Sequence, residues 1–208
     1  MRRFALAAAL LLAGCGAGGS GGAENEAAPV EPVAAAEAPA PAAEAPAADV
    51  LTAEGFGPLR IGMSRAEVVK ALGEDSDPDA VGGPDPESCD EFRPARAPED
   101  MLVMIERGRL TGIALVGGSK VATDRGLRLG AGAAAVRAAY GEALRAEPHK
   151  YVEAPAEYMT FWTKEAPAKG QYADAAGARG IRYEIGRDGK VESIHAGGPS
   201  LQYVEGCA

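Results

Sequence analysis

The chain has 208 residues and a formal net charge of −9 at pH 7. Binding to nucleic acid needs clustered lysine and arginine, so this acidic balance disfavours it. Beyond residue 15 no apolar run is long enough to span a bilayer as a helix, and the chain from Val50 onward is long enough for a sizeable core.

The first 15 residues have the features of a bacterial lipoprotein signal peptide. Met1–Arg3 is a positively charged start, and Phe4–Leu12 is a short apolar stretch. The segment ends in Leu12–Cys15 (Leu-Ala-Gly-Cys), which resembles the lipobox, whose cysteine becomes the first mature residue and carries lipid. The alternative is an ordinary secretory signal that contains a cysteine by chance. We expect lipid on Cys15 to anchor the protein in the membrane, since each buried methylene contributes about 0.8 kcal/mol.

The residues that follow predict a location and a tether. Gly16 stands where an Asp would retain an enterobacterial lipoprotein in the inner membrane, so that resemblance implies the outer membrane, facing the periplasm. Residues 16–49 change from Gly/Ser-rich to Ala/Pro/Glu-rich. Proline and like charges disfavour a helix, and we expect a disordered, extended tether.

Residues 50–118 carry the signals of a helix followed by a hairpin. Ser64 with Glu67 has the spacing of a capping box, and Gly73 can end the helix. Apolar, β-prone stretches at Met101–Glu106 and Leu110–Val116 predict two antiparallel strands that are joined by a short turn.

Residues 119–208 follow the same order with an insertion. Leu127–Glu142 aligns without a gap with Leu59–Glu74, and it predicts a second helix over Gly132–Tyr140. Further strands are expected at Tyr158–Thr163, Gly180–Ile185 and Lys190–Ala196, the last two as a hairpin with an Asp-Gly turn. The sequence therefore predicts an α+β fold of two similar halves, each a short capped helix packed on an antiparallel β-hairpin or small sheet.

One segment resembles a known family. Ile61–Gly73 (IGMSRAEVVKALG) is similar to the I-G-M-(S/T)-x-x-E-V-x-x-x-L-G start of repeats in proteins built like the β-lactamase inhibitor protein. The small outer-membrane lipoproteins of the barrel-assembly machinery share that general shape. The resemblance implies a structural motif on a cell-envelope protein. The second copy departs from it, with Gly132 in place of the capping Ser64.

Two cysteines remain besides Cys15. Cys89 lies in a Pro- and Asp-rich stretch, residues 75–98, that predicts a loop, and Cys207 lies near the C-terminus. In an oxidising compartment they predict a disulfide that joins the two halves. Two free thiols are the alternative, and a catalytic or metal-binding pair lacks the C-x-x-C spacing.

The sequence predicts no catalytic residues, metal site or cofactor. Gly130–Ala135 imitates G-x-G-x-x-A, but no parallel βαβ unit follows it, as dinucleotide binding requires. His149 and His195 are the only histidines. A catalytic role would require one of them to lie in a cleft beside a carboxylate, a serine or the other histidine.

Four residues are candidates for partner binding. Arg60 and Arg128 recur at equivalent positions before the two helices, where they either pair locally or form related binding spots. Tyr158 and Trp162 belong to an aromatic-rich second half, and exposed aromatic residues would form a partner surface.

These patterns favour a lipid-anchored, non-enzymatic cell-envelope protein that binds a protein or envelope component. One alternative is an inhibitor or regulator of a periplasmic enzyme. The other is an enzyme that uses His149 or His195.

Overall fold

The computed structural model describes residues 49–207. The signal peptide, Cys15 and nearly all of the predicted tether therefore lie outside the described residues. The elements in chain order are β1 (Val50–Thr52), β2 (Gly55–Phe56), β3 (Leu59–Arg60), α1 (Arg65–Leu72), β4 (Cys89–Phe92), β5 (Met101–Glu106), β6 (Arg109–Leu115), β7 (Ala122–Thr123), α2 (Ala133–Tyr140), β8 (Arg145–Pro148), β9 (Glu157–Lys164), β10 (Arg179–Ile185) and β11 (Val191–Gly197). Neither helix is long and apolar enough to cross a membrane.

The strands form two sheets. The larger has seven antiparallel strands in the order β4-β5-β6-β11-β10-β9-β8. The smaller has the order β3-β2-β1-β7, with β1 and β7 parallel. Both predicted helices and both predicted hairpins form, β5–β6 and β10–β11, and the strand predicted at Tyr158–Thr163 is β9.

The predicted fold class is nevertheless wrong. The described residues are mostly β, and they do not form two halves that each pack one helix on one hairpin. Instead β6 of the first hairpin pairs with β11 of the second, and β1 pairs with β7 across the sequence midpoint. A lone hairpin leaves both edges unpaired and one apolar face uncovered. Joining the hairpins into one sheet pairs their inner edges and builds a shared core.

Strand β4 corrects the prediction of a loop over residues 75–98. Its four residues alternate, with Asp90 and Phe92 buried on the helix side of the sheet. Arg65 of α1 lies 2.5 Å from the Asp90 carboxylate and over the ring of Phe92. The ion pair with Arg65 offsets the cost of burying the Asp90 carboxylate. A charged residue at a buried strand position is what makes β4 hard to recognise in the sequence.

The core lies on one face of the seven-stranded sheet. Both helices and the smaller sheet cover this face, and their buried residues form one cluster with the apolar side chains of the central strands. Alternation along each strand, the period of two expected of a β-strand, directs Ile181, Tyr183 and Ile185 of β10 into this cluster.

Each helix start is bonded to the turn of one hairpin. The N–H of Arg65 donates to the Gly108 carbonyl at 3.0 Å, and the N–H of Ala133 donates to the Gly189 carbonyl at 3.0 Å. Two residues before each N-cap, the glycines Gly62 and Gly130 have positive φ values of 99° and 79°. Glycine adopts such angles without the strain of a side chain.

The two helices differ in their N-caps. At α1 the capping box is complete: the Ser64 hydroxyl accepts from the Glu67 N–H, and the Glu67 carboxylate accepts from the Ser64 N–H at 2.8 Å. The hydrogen bonds that this carboxylate accepts from the N–H and the hydroxyl of Ser64 lower the pKa of Glu67. At α2 the N-cap is Gly132, with φ −71° and ψ 148°, close to the −69° and 156° of Ser64.

Substitutions at the two N-caps are expected to change the stability of the protein in opposite directions. Ser64→Ala should lower the free energy of unfolding by about 1 kcal/mol, because it leaves a helix N–H without its partner. Gly132→Ser should raise it by about 0.5–1 kcal/mol, since the backbone already suits a serine cap and the unfolded chain loses freedom. A Cβ at Gly132 would meet no atom within 4 Å. Urea unfolding of both variants measures the difference, and a loss of stability in Gly132→Ser would contradict this view of α2.

Candidate functional site

The face of the seven-stranded sheet opposite the helices carries polar side chains, and we call it the outer face. Because Ile181 and Tyr183 point into the core, Arg182 and Glu184 point to the outer face. The register places Arg182 opposite His195 and Glu184 opposite Ser193. Four polar residues from β10 and β11 therefore lie together at the middle of the sheet.

Residues 198–207, which we call the C-terminal strap, cross the outer face. The strap begins with a 3₁₀ turn at Pro199–Gln202, and Leu201 is buried against the sheet. The Gln202 side chain bonds both the N–H and the carbonyl of Ala173, at 2.9 and 3.0 Å. At its end, Cys207 is joined by a disulfide to Cys89 at the start of β4, which confirms the predicted pair.

A chain of hydrogen bonds joins both histidines beside the strap. Nε2 of His149 lies 2.9 Å from one carboxylate oxygen of Glu184. The Ser193 hydroxyl donates to the other at 2.9 Å and lies 2.8 Å from Nε2 of His195. Each histidine therefore has the neighbour that the enzyme alternative requires, a carboxylate for one and a serine for the other.

The direction of these bonds does not suit nucleophilic catalysis. The single proton of the Ser193 hydroxyl goes to Glu184, so the hydroxyl oxygen accepts from Nε2–H of His195. A serine nucleophile instead donates its proton to a histidine that acts as base. Nδ1 of His149 accepts from two backbone N–H groups at 3.1 Å, which leaves its Nε2–H to donate to Glu184.

The pKa values agree with this arrangement. Burial would raise the pKa of Glu184, but the hydrogen bonds from His149 and Ser193 outweigh burial and lower it, so the carboxylate is ionised and accepts. Burial lowers the pKa of His195 to about 4; the Arg182 charge acts in the same direction, and Glu184 opposes both. At neutral pH His195 is uncharged and serves as a hydrogen-bond donor to Ser193.

Arg182 is the most unusual residue of the outer face. Its side chain is buried, with the residue 6% exposed. The guanidinium lies 3.8 Å from the centroid of the Tyr158 ring, and Nη1 donates to the Leu201 carbonyl at 3.2 Å. Burial lowers the pKa of Arg182. Within residues 49–207 no carboxylate lies within salt-bridge distance of it, and its Nε has no hydrogen-bond partner.

Two cavities of the outer face share Arg182. One, of about 200 Å³, lies between β8, β9 and the segment 167–172, and we call it the side cavity. The other, of about 190 Å³, lies beneath the strap, and we call it the strap cavity. The strap cavity is lined by three carboxylates, those of Glu91, Glu184 and Glu205, whereas the side cavity is lined by Arg145, Arg182 and one carboxylate, Glu147.

The four predicted partner-binding residues do not lie together. The guanidinium groups of Arg60 and Arg128 donate to nearby backbone carbonyls, at Gly57 and Lys120, as the local alternative predicts. Tyr158 and Trp162 both face outward on β9, but Tyr158 is buried beneath Arg182 and His149. Within residues 49–207 the exposed aromatic residues are instead Tyr151, Tyr172 and Tyr203.

The sequence analysis missed Arg182, Glu184 and the strap. Arg182 and Glu184 could have been found from the sequence. Alternation along the predicted hairpin places both on the same side of the sheet as Ser193 and His195. The strap has no such signal, since its position depends on the disulfide and on contacts with distant strands.

No protein-family model matches this chain, and no curated protein or solved structure matches it significantly. The resemblance of Ile61–Gly73 to the inhibitor-like repeats therefore stays a prediction that those residues alone carry.

Proposed function

We propose that this protein is a lipid-anchored component of the bacterial cell envelope, held in the outer membrane through Cys15 and facing the periplasm. Its folded part binds another protein of the envelope and catalyses no reaction. The lipobox at Leu12–Cys15 supports the anchor, and the similarity of Ile61–Gly73 to repeats of envelope lipoproteins supports the location. No cofactor or nucleic acid is part of the proposal.

The observation that carries the binding role is the position of the exposed tyrosines. Tyr151, Tyr172 and Tyr203 are 59%, 78% and 48% exposed. Tyr203 and Tyr172 line the strap cavity and the side cavity respectively, and the Tyr151 hydroxyl bonds Glu205 of the strap. Tyrosine gives a large contact area with little loss of side-chain entropy, and it is enriched where proteins meet. The tyrosines thus surround the strap as a partner-binding rim.

Two alternatives would use residues of the same face. A regulator of a periplasmic enzyme would use the same tyrosine rim, and its partner would be an enzyme whose rate changes on binding. An enzyme that uses His149 or His195 is supported by the contacts of these residues with Glu184 and Ser193. The direction of the Ser193 hydrogen bonds weighs against it, and a specific turnover by the purified protein that is lost in Ser193→Ala would establish it.

We expect crosslinking in native membranes to capture one dominant partner protein. Capture should fall at least tenfold in a Tyr172→Ala/Tyr203→Ala variant, because hot-spot aromatic residues each contribute about 2 kcal/mol or more. It should also be lost in Cys15→Ala, which removes the lipid. Arg187→Ala, which changes an exposed residue of the β10–β11 turn, is the control and should capture the partner normally. Equal capture by the tyrosine variant and the native protein would disprove the role of the rim.

A further inference from the structure

The buried guanidinium of Arg182 forms no ion pair within residues 49–207, although the more distant charges of Glu147 and Glu184 act on it. A buried charge is costly unless it is paired and hydrogen bonded. The Tyr158 ring and the Leu201 carbonyl each compensate part of this cost. Nε is buried without a partner, and no described carboxylate lies within salt-bridge distance. Arginine presents a planar fork of N–H groups that fits the two oxygens of a carboxylate.

The charges of the two cavities decide where an anion would bind. Three carboxylates line the strap cavity and would repel it. The side cavity adds the second guanidinium of Arg145 to that of Arg182, against the single carboxylate of Glu147. Glu147 is exposed, so water screens its charge more than it screens that of the buried Arg182. The side cavity therefore favours an anion.

The walls of the side cavity indicate the rest of the ligand. Trp162 lines it, and its ring lies so close over β10 that a Cβ on Gly180 would be 2.9 Å from Cε3. Thr160 and Gln171 add hydrogen-bonding groups at the wall. The side cavity's volume of about 200 Å³ exceeds the roughly 150 Å³ of a cavity that accepts benzene. The cavity therefore has room for a small acid with a flat apolar part that packs against the indole.

We propose that the side cavity binds the carboxylate of a small organic acid, with Arg182 and Arg145 holding the carboxylate and Trp162 contacting its apolar part. This goes beyond the proposed function, because it requires neither the lipid on Cys15 nor a protein partner. Capture of a partner and binding of an acid can therefore succeed or fail separately.

Trp162 provides the readout, since it is the only tryptophan of the chain. The full-length protein in a non-aromatic detergent is titrated with benzoate, with acetate and with benzamide, the neutral isostere of benzoate. We expect a saturable change of tryptophan fluorescence with benzoate, a weaker affinity for acetate, and no response to benzamide. No saturable response to benzoate, or an equal one to benzamide, would overturn the proposal.

Charge variants at the cavity should change the benzoate affinity in opposite directions. Arg145→Gln should weaken it about tenfold or more, the loss expected for a charge-assisted hydrogen bond, and Arg182→Gln should abolish it. Glu147→Gln should strengthen binding several-fold, because a like charge is removed. Arg187→Gln, at the exposed β10–β11 turn and not among the residues that line the cavity, should have no effect. If Arg182→Gln does not fold, the other two variants test the site. A benzoate affinity equal to that of the native protein in both Arg145→Gln and Glu147→Gln would refute it.

Discussion

Replacing both Cys89 and Cys207 with serine is expected to lower the free energy of unfolding by about 4–5 kcal/mol. The two cysteines are separated by 118 positions in the sequence, so the disulfide closes a long loop and restricts the unfolded chain strongly. A loss of this size is a large part of the stability of a typical domain. Urea unfolding of the double variant and the native protein, under oxidising conditions, measures the difference.

Reduction provides the control for this prediction. The native protein in excess reductant should unfold at the same urea concentration as the double variant, since both then lack the bond. The double variant should be insensitive to the reductant. A difference below about 1 kcal/mol between oxidised and reduced native protein would contradict the assigned role, because it would mean that the loop is restricted in the unfolded state by other means.

Stability is expected to fall steeply as the pH drops from 6.5 to about 4. In this range the unfolded chain protonates His195 at its ordinary pKa of 6.5, whereas burial lowers the pKa in the folded protein to about 4. The unfolded state then binds more protons, so the free energy of unfolding rises with pH across the window. The lowered pKa corresponds to about 2–3 kcal/mol of stability, a range that allows for the intermediate exposure of His195 to solvent.

His195→Gln should flatten this dependence, because glutamine keeps an N–H donor for the Ser193 hydroxyl and does not titrate. Urea unfolding at several pH values, compared with the native protein, separates the effect of His195 from that of other groups.

Glu184 acts in a separate pH range: its lowered pKa stabilises the folded state above about pH 4.5, and this stabilisation is lost only at lower pH. Lys190→Gln, at the turn of the same hairpin, should keep the native slope. An unchanged slope in His195→Gln would show that His195 titrates normally.

Local features of the fold were predictable because their causes lie within a few residues. The Ser64–Glu67 capping box is such a feature, and so is the β10–β11 hairpin around Asp188-Gly189. The pairing of β6 with β11 was not predictable from local pattern. It joins residues such as Gly112 and Gly197, which are distant in sequence, and it depends on both hairpins lacking a partner at one edge.

The candidate site also has some features that could be predicted from the sequence and others that could not. The disulfide pair could be predicted because the chain offers only Cys89 and Cys207 once Cys15 is assigned to lipid. The outward direction of the Arg182 and Glu184 side chains could be predicted from strand alternation, whereas the residues that surround them could not. The burial of Arg182 depends on Tyr158 of a neighbouring strand and on Leu201 of the strap, and neither contact leaves a pattern in the sequence.

The position of Cys207 also sets an order of events when the chain first folds. Cys207 follows every described strand in the sequence, so its bond to Cys89 can close only after all of these strands have been synthesised. Cys89 must stay reduced, or be bonded elsewhere, until then. During that interval the sheet can assemble while its outer face is still open. The strap is the last segment to be secured, and a ligand or partner present at that moment would meet the face before it is covered.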